Sequence, residues 1–160
     1  MGLAALIPSP PQPDGPLQMT LEEEKWDMWQ GVAWIAAVKV RITNTATNQV
    51  IRLERFNLES EPGPGERPKL TQDQVNALFH EVMKRGDAYG SSHLRRVDLQ
   101  PDDSTSGWLV REAYLPFPAR AGRPRCTFAV TDGVGDTYEL EIPAREPQVR
   151  RIEARWIMGR

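Results

Sequence analysis

Two histidines, one cysteine and a scatter of carboxylates are the groups in this chain that could do chemistry. Ser91-Ser92-His93 sets hydroxyls beside an imidazole, and a Ser–His pair with an acid is the arrangement of a nucleophilic hydrolase. No G-x-S-x-G elbow accompanies it, and adjacency in sequence does not aim a hydroxyl at its neighbour's ring. His80 adjoins Glu81, but the H-E-x-x-H and C-x-x-C spacings of zinc centres are absent. Cys126 is the single cysteine, which excludes an intramolecular disulfide and any multi-Cys metal site. Its place among alternating apolar residues reads as a small buried hydrophobe. Asp132 and Asp136 flank a Gly-rich turn and could hold Ca²⁺ with backbone oxygens, although a plain turn uses the same residues. No carboxylate pair stands out for glycoside chemistry. GPGERP and GVGD lack the Lys-Ser/Thr of a phosphate loop. No catalytic residue, metal or cofactor is expected. A hydrolase built on His80 or His93 ranks third among the functional readings.

Composition narrows the classes further. A chain of 160 residues fits one domain, long enough to bury a core without disulfides or metal. Twenty Lys and Arg against 22 Asp and Glu give a net charge of −2, so there is no overall field of the kind nucleic-acid binders carry. Basic residues do cluster locally, at Arg95-Arg96, at Arg120, Arg123 and Arg125, and at Arg145, Arg150, Arg151, Arg155 and Arg160. Such clusters are solvated surface or contacts to an acidic partner, and nucleic acid is not the expected one. No apolar run approaches the ~18–20 residues of a bilayer span. The N-terminus lacks the basic and apolar regions of a signal peptide, and Leu6 stands where a myristoylation signal wants Ser or Thr. A cytoplasmic protein, or part of a larger assembly, is expected.

The elements that must position these groups are mostly strands. Cys126, Phe128 and Val130 alternate with polar or small residues, and so do Tyr138, Leu140 and Ile142. Between them, Asp132-Gly133-Val134-Gly135-Asp136 has the glycines a tight hairpin needs, so residues 125–142 read as a β-hairpin. Gly107–Leu115 is a further strand with Trp108 and Val110 on one face, and Val97 and Leu99 begin a short one. Residues 32–43 form a strong strand with Ala36, Val38, Val40 and Ile42 on one face. After the polar turn 44–49 the chain returns as a strand over 50–58, with a phase slip near Glu54-Arg55 that implies a bulge. Thr20-Leu21-Glu22-Glu23 resembles a capping box and suggests a short helix over 21–30, with an early edge strand as the alternative. The best helix covers 71–85, with Thr71 and Gln74 as its capping box and Gly86 as its stop. Val75, Leu78, Phe79 and Val82 form its packing stripe. The helix lies in an insertion, residues 60–96, between strands of one domain.

Both ends differ from this pattern. Residues 1–19 carry five prolines and read as an extended arm with Leu3, Leu6 and Ile7 as docking residues. Residues 144–160 are Arg-rich, and their apolar residues fit a helix or a strand, with a lean to helix.

Three segments look familiar together. VKVRITNTATNQVIRL resembles the V-x-V-x-I-x-N hairpin that opens many bacterial immunoglobulin-like domains. LQPDDSTSGWLV resembles their L-x-P-x-x-S-x-x-G-W-L turn and strand, and FAVTDGVGDTYELEIP resembles their closing hairpin. The resemblance covers about half the chain, and it implies a non-catalytic antiparallel sandwich. Such domains usually lack an inserted helix like 71–85. The expectation is therefore a mainly β, antiparallel immunoglobulin-like sandwich over 20–143 with one inserted helix. Its expected role is a protein–protein interaction or assembly module, with a protein partner or a homo-oligomer. Leu3, Leu6, Ile7, Arg150, Arg151, Arg155 and Trp156 would make contacts, because both ends are apolar in spots. The alternative is a small-ligand or carbohydrate-binding module using exposed Trp29, Trp34 or Trp108.

Overall fold

Strand β2 (Ala33–Asn44) is apolar on both sides along its first half, and the layering of the protein follows from where each side goes. The computed structural model describes residues 15–60, 70–114 and 125–143. β2 pairs antiparallel with β1 (Leu17–Trp29) on one edge and β5 (Ser104–Tyr114) on the other. A second antiparallel sheet has the order β4 (Val97–Leu99), β3 (Ile51–Ser60), β6 (Cys126–Asp132), β7 (Thr137–Ile142). Ala36, Val38, Val40 and Ile42 face that sheet and share a buried core with Leu53, Phe128, Val130 and Leu140. The opposite side, Ala33, Ile35 and Ala37, lies under helix α1 (Gln72–Asp87) in a second cluster with Leu78, Val82, Trp108 and Val110. The result is a mainly β sandwich with one helix laid on the outside of its smaller sheet. β2 is thus covered twice, which explains why its sequence begins as a continuous apolar run and alternates only later.

Several sequence expectations hold. The hairpin, the short strand at Val97 and the shared face of Trp108 and Val110 are in place. The slip in β3 is a register shift between Leu53 and Arg55. Others need correction. Residues 21–30 are not a helix, because β1 pairs with β2 as far as Trp29. The free edge of β2 offers a full ladder of backbone partners, and that outweighs a local capping box. A bulge between Leu21 and Glu23 then switches parity, so Glu24 and Trp26 follow Leu21 on the inner face. Leu17 and Met19, inside the stretch assigned to the N-terminal arm, are core residues of β1.

The segments on either side of Asn44 do not form a hairpin. β2 and β3 belong to different sheets, and residues 45–50 cross between them. Gly86 does not stop α1 but lies inside it, buried where the His93 ring crosses the helix. The return from α1 contains a 3-10 turn (Gly90–Ser92) and a bridge from His93 to Trp108.

Candidate functional site

Helix α1 has its expected capping box: Thr71 Oγ1 accepts from the Gln74 amide and Gln74 Oε1 from the Thr71 amide. Its apolar residues divide between two flanks. Leu78 and Val82 pack on the sheet, whereas Val75, Phe79 and Met83 are 37, 61 and 53 % exposed. The expected four-residue packing stripe is therefore half correct. A helix meets a sheet along a narrow line of contact, and residues four apart at Val75, Phe79 and Met83 fall beside that line rather than on it. Gln72 and Asn76 flank them and hydrogen-bond to each other at 3.1 Å. The row is uncharged from Val75 to Met83 and ends at Asp87. The opposite flank leans toward β1: Arg85 donates to Asp27 at 2.8 Å and to Glu81 at 2.9 Å. The bond from Arg85 is the largest cause that holds the Glu81 carboxyl below its usual range.

Between that charged flank and the outer face of the sheet lies a cleft of about 200 Å³. Ile35, Ala37 and Val110, one from each of two neighbouring positions on β2 and one from β5, form its apolar floor. Tyr89, just past the helix, forms a wall and stacks on Trp108 with centroids 4.6 Å apart. Lys25 Nζ sits 5.4 Å from the Trp108 ring centroid and 6.0 Å from that of Tyr89. Sequence reasoning missed this cleft, because its parts come from four separated segments. The alternation of Lys25 and Asp27 on one strand face was the available signal, and reading β1 as a helix hid it.

The groups singled out for chemistry are placed as follows. His80 is exposed on α1, and His93 packs against Gly86 with its Nε2 buried and without a hydrogen-bond partner. Ser91 and Ser92 are exposed in the 3-10 turn, and Ser91 uses its carbonyl to accept from Arg95. Cys126 is buried. Asp132 Oδ1 accepts the amides of Val134 and Asp136 at 3.0 and 2.9 Å, so its carboxylate closes the turn. Among the described residues no three His, Cys, Asp or Glu side chains gather as metal ligands. Trp29 and Trp108 are 9 and 6 % exposed and present no open face. Trp34 meets Trp26 edge-on at 6.2 Å, and its buried Nε1 has no acceptor, while the Trp26 indole donates to Glu24 at 2.9 Å. Leu3, Leu6, Ile7, Arg150, Arg151, Arg155 and Trp156 lie outside the described residues, as does the segment expected to be helix or strand near the C-terminus. No described helix is long and apolar enough to cross a membrane. Comparison with protein-family models, curated proteins and solved structures returns no match.

Proposed function

We propose that this chain is a non-catalytic protein–protein interaction or assembly module built on an immunoglobulin-like sandwich. The observation that carries the reading is the uncharged stripe Val75, Phe79 and Met83, left exposed on a helix that buries Leu78 and Val82. Large apolar side chains grouped on a surface mark contact sites, whereas single ones need no explanation. The strand order supports the immunoglobulin-like part: β2 lies between β1 and β5, β6 between β3 and β7, and the chain changes sheets after β2, after β4 and after β5. The helix sits in the insertion between β3 and β4, where an ordinary sandwich has only a connection. Leu3, Leu6, Ile7, Arg150, Arg151, Arg155 and Trp156 are proposed as further contacts on the same partner.

The test compares the wild-type chain with Phe79→Glu by light scattering at rising concentration and by capture of cross-linked complexes. The module reading expects association by the wild type, lost in Phe79→Glu, with unchanged thermal unfolding. Equal behaviour of the two proteins in both assays removes α1 as a contact element.

A further inference from the structure

The cleft beneath the charged flank of α1 is a separate feature from the exposed stripe, which lies on the other flank. From its lining we infer that it binds a small monocarboxylate with a compact apolar body, such as an aryl or cycloalkyl carboxylate. Three observations converge. First, the floor of Ile35, Ala37 and Val110 is apolar and almost wholly buried, so it offers an occupant dispersion contacts and no hydrogen bonds. Second, a volume of about 200 Å³ equals that of roughly seven water molecules at about 30 Å³ each, enough for one ring and a carboxylate but not for a sugar chain or a nucleotide. Third, one charge at the rim stands outside the ion pairs. Asp27 is satisfied by Arg85 at 2.8 Å, and Arg85 is further engaged by Glu81. Lys25 makes no ion pair among the described residues; its ammonium rests near the Trp108 and Tyr89 rings. The four charges sum to zero, but among the described residues the Lys25 ammonium is the one of them not bonded to an opposite charge, and it stands above an apolar floor.

That pattern selects a ligand by sign as well as by size. The aromatic faces, which would otherwise attract a cationic ligand, already have the Lys25 ammonium beside them. A carboxylate placed at the rim gains a charge-assisted hydrogen bond from Lys25 while its body covers Ile35 and Val110. A cationic ligand of the same shape meets Lys25 as a like charge. Tyr89, stacked on the buried Trp108 ring, supplies a rigid side wall, so the occupant need not order it on entry.

The experiment is a titration of the full-length chain with benzoate, cyclohexanecarboxylate and hexanoate, followed by the amide signals and the Trp108 indole N–H in two-dimensional nuclear magnetic resonance. Neutral benzamide and cationic benzylamine serve as shape-matched controls. Saturable shifts clustered on Lys25, Ile35, Ala37, Tyr89 and Trp108 are expected for at least one acid, with benzamide binding at least tenfold more weakly and benzylamine not at all. Lys25→Met keeps most of the aliphatic stem and should weaken the acid at least tenfold, erasing its advantage over benzamide. Ala88→Leu, at the exposed end of the helix, should block the mouth and abolish all binding while the unfolding temperature holds. The inference is overturned if none of the three acids produces clustered shifts, if Lys25→Met binds as well as the wild type, or if benzylamine binds best.

Discussion

The Asn44 carboxamide donates to the carbonyl of Leu99 at 2.9 Å, joining the end of the three-stranded sheet to the end of the four-stranded one. The same Nδ2 donates to the Gln49 carbonyl at 2.8 Å, and Oδ1 accepts from the Ala46 amide at 2.9 Å. The backbone of Asn44 also exchanges bonds with Asp103 and Asp102, so one fully buried residue anchors both the crossing after β2 and the turn before β5. Asn44→Ala should cost about 2–3 kcal/mol in denaturant unfolding, because it strands buried carbonyls. Asn44→Asp should cost more, since its carboxylate would face the Leu99 and Gln49 carbonyls with nothing to donate. A loss under about 0.5 kcal/mol, the range of neutral surface changes, would show that the crossing does not depend on this side chain.

Two buried glycines separate backbone crowding from helix propensity. A Cβ at Gly107 in β5 would stand 2.6 Å from the Leu94 nitrogen and 2.8 Å from the His93 carbonyl carbon, both backbone atoms. A Cβ at Gly86 would stand 3.4 Å from the His93 ring, an ordinary contact with a side chain. Gly107→Ala should therefore destabilise by about 1–3 kcal/mol. Gly86→Ala should stabilise by about 0.5–1 kcal/mol, as a helix-interior glycine is replaced by the best helix former. The opposite ranking in thermal or urea unfolding would mean that the His93 segment moves freely on β5.

Much of the sandwich is legible in the sequence, since β6 and β7 alternate strictly and β2 alternates from Val38 onward. What is not legible depends on neighbours. The Thr20–Glu23 box is a local helix signal that the open edge of β2 overrides. The polar turn after Asn44 looks the same whether the next strand pairs with β2 or enters the other sheet; Asn44's bonds to Gln49 and Leu99 decide it. The cleft depends on β1 being a strand, because only then do Lys25 and Asp27 share the face under the helix.

Adjacent residues on α1 give the sharpest contrast. Leu78 is 1 % exposed and Phe79 is 61 % exposed, although sequence alone set both in one stripe. Leu78→Ala should cost about 2–4 kcal/mol through lost burial and the cavity it leaves between helix and sheet. Phe79→Ala should change stability by no more than about 0.5 kcal/mol. Unfolding curves of the two variants check this directly. Comparable losses would mean that Phe79 is covered in solution, as it would be within a tight assembly, and dilution would then distinguish that case by restoring the contrast.

Alkaline pH should expose the environment of Tyr138. Burial, and then the carboxylates of Asp132 and Asp136, push its phenol above the ordinary value of 10.0. The unfolded chain releases this proton first as pH rises, so above 10.0 the native state binds more protons than the unfolded one. The stability contributed by the protonated phenol is complete below 10.0 and is lost as pH climbs through the raised native value. Tyr138→Phe has no such proton. It should lose less stability than the wild type on going above pH 10.0. Unfolding midpoints measured across that range for both proteins, with phenolate absorbance recorded alongside, test it; parallel declines would show that the phenol ionises as freely in the folded protein as in the unfolded chain.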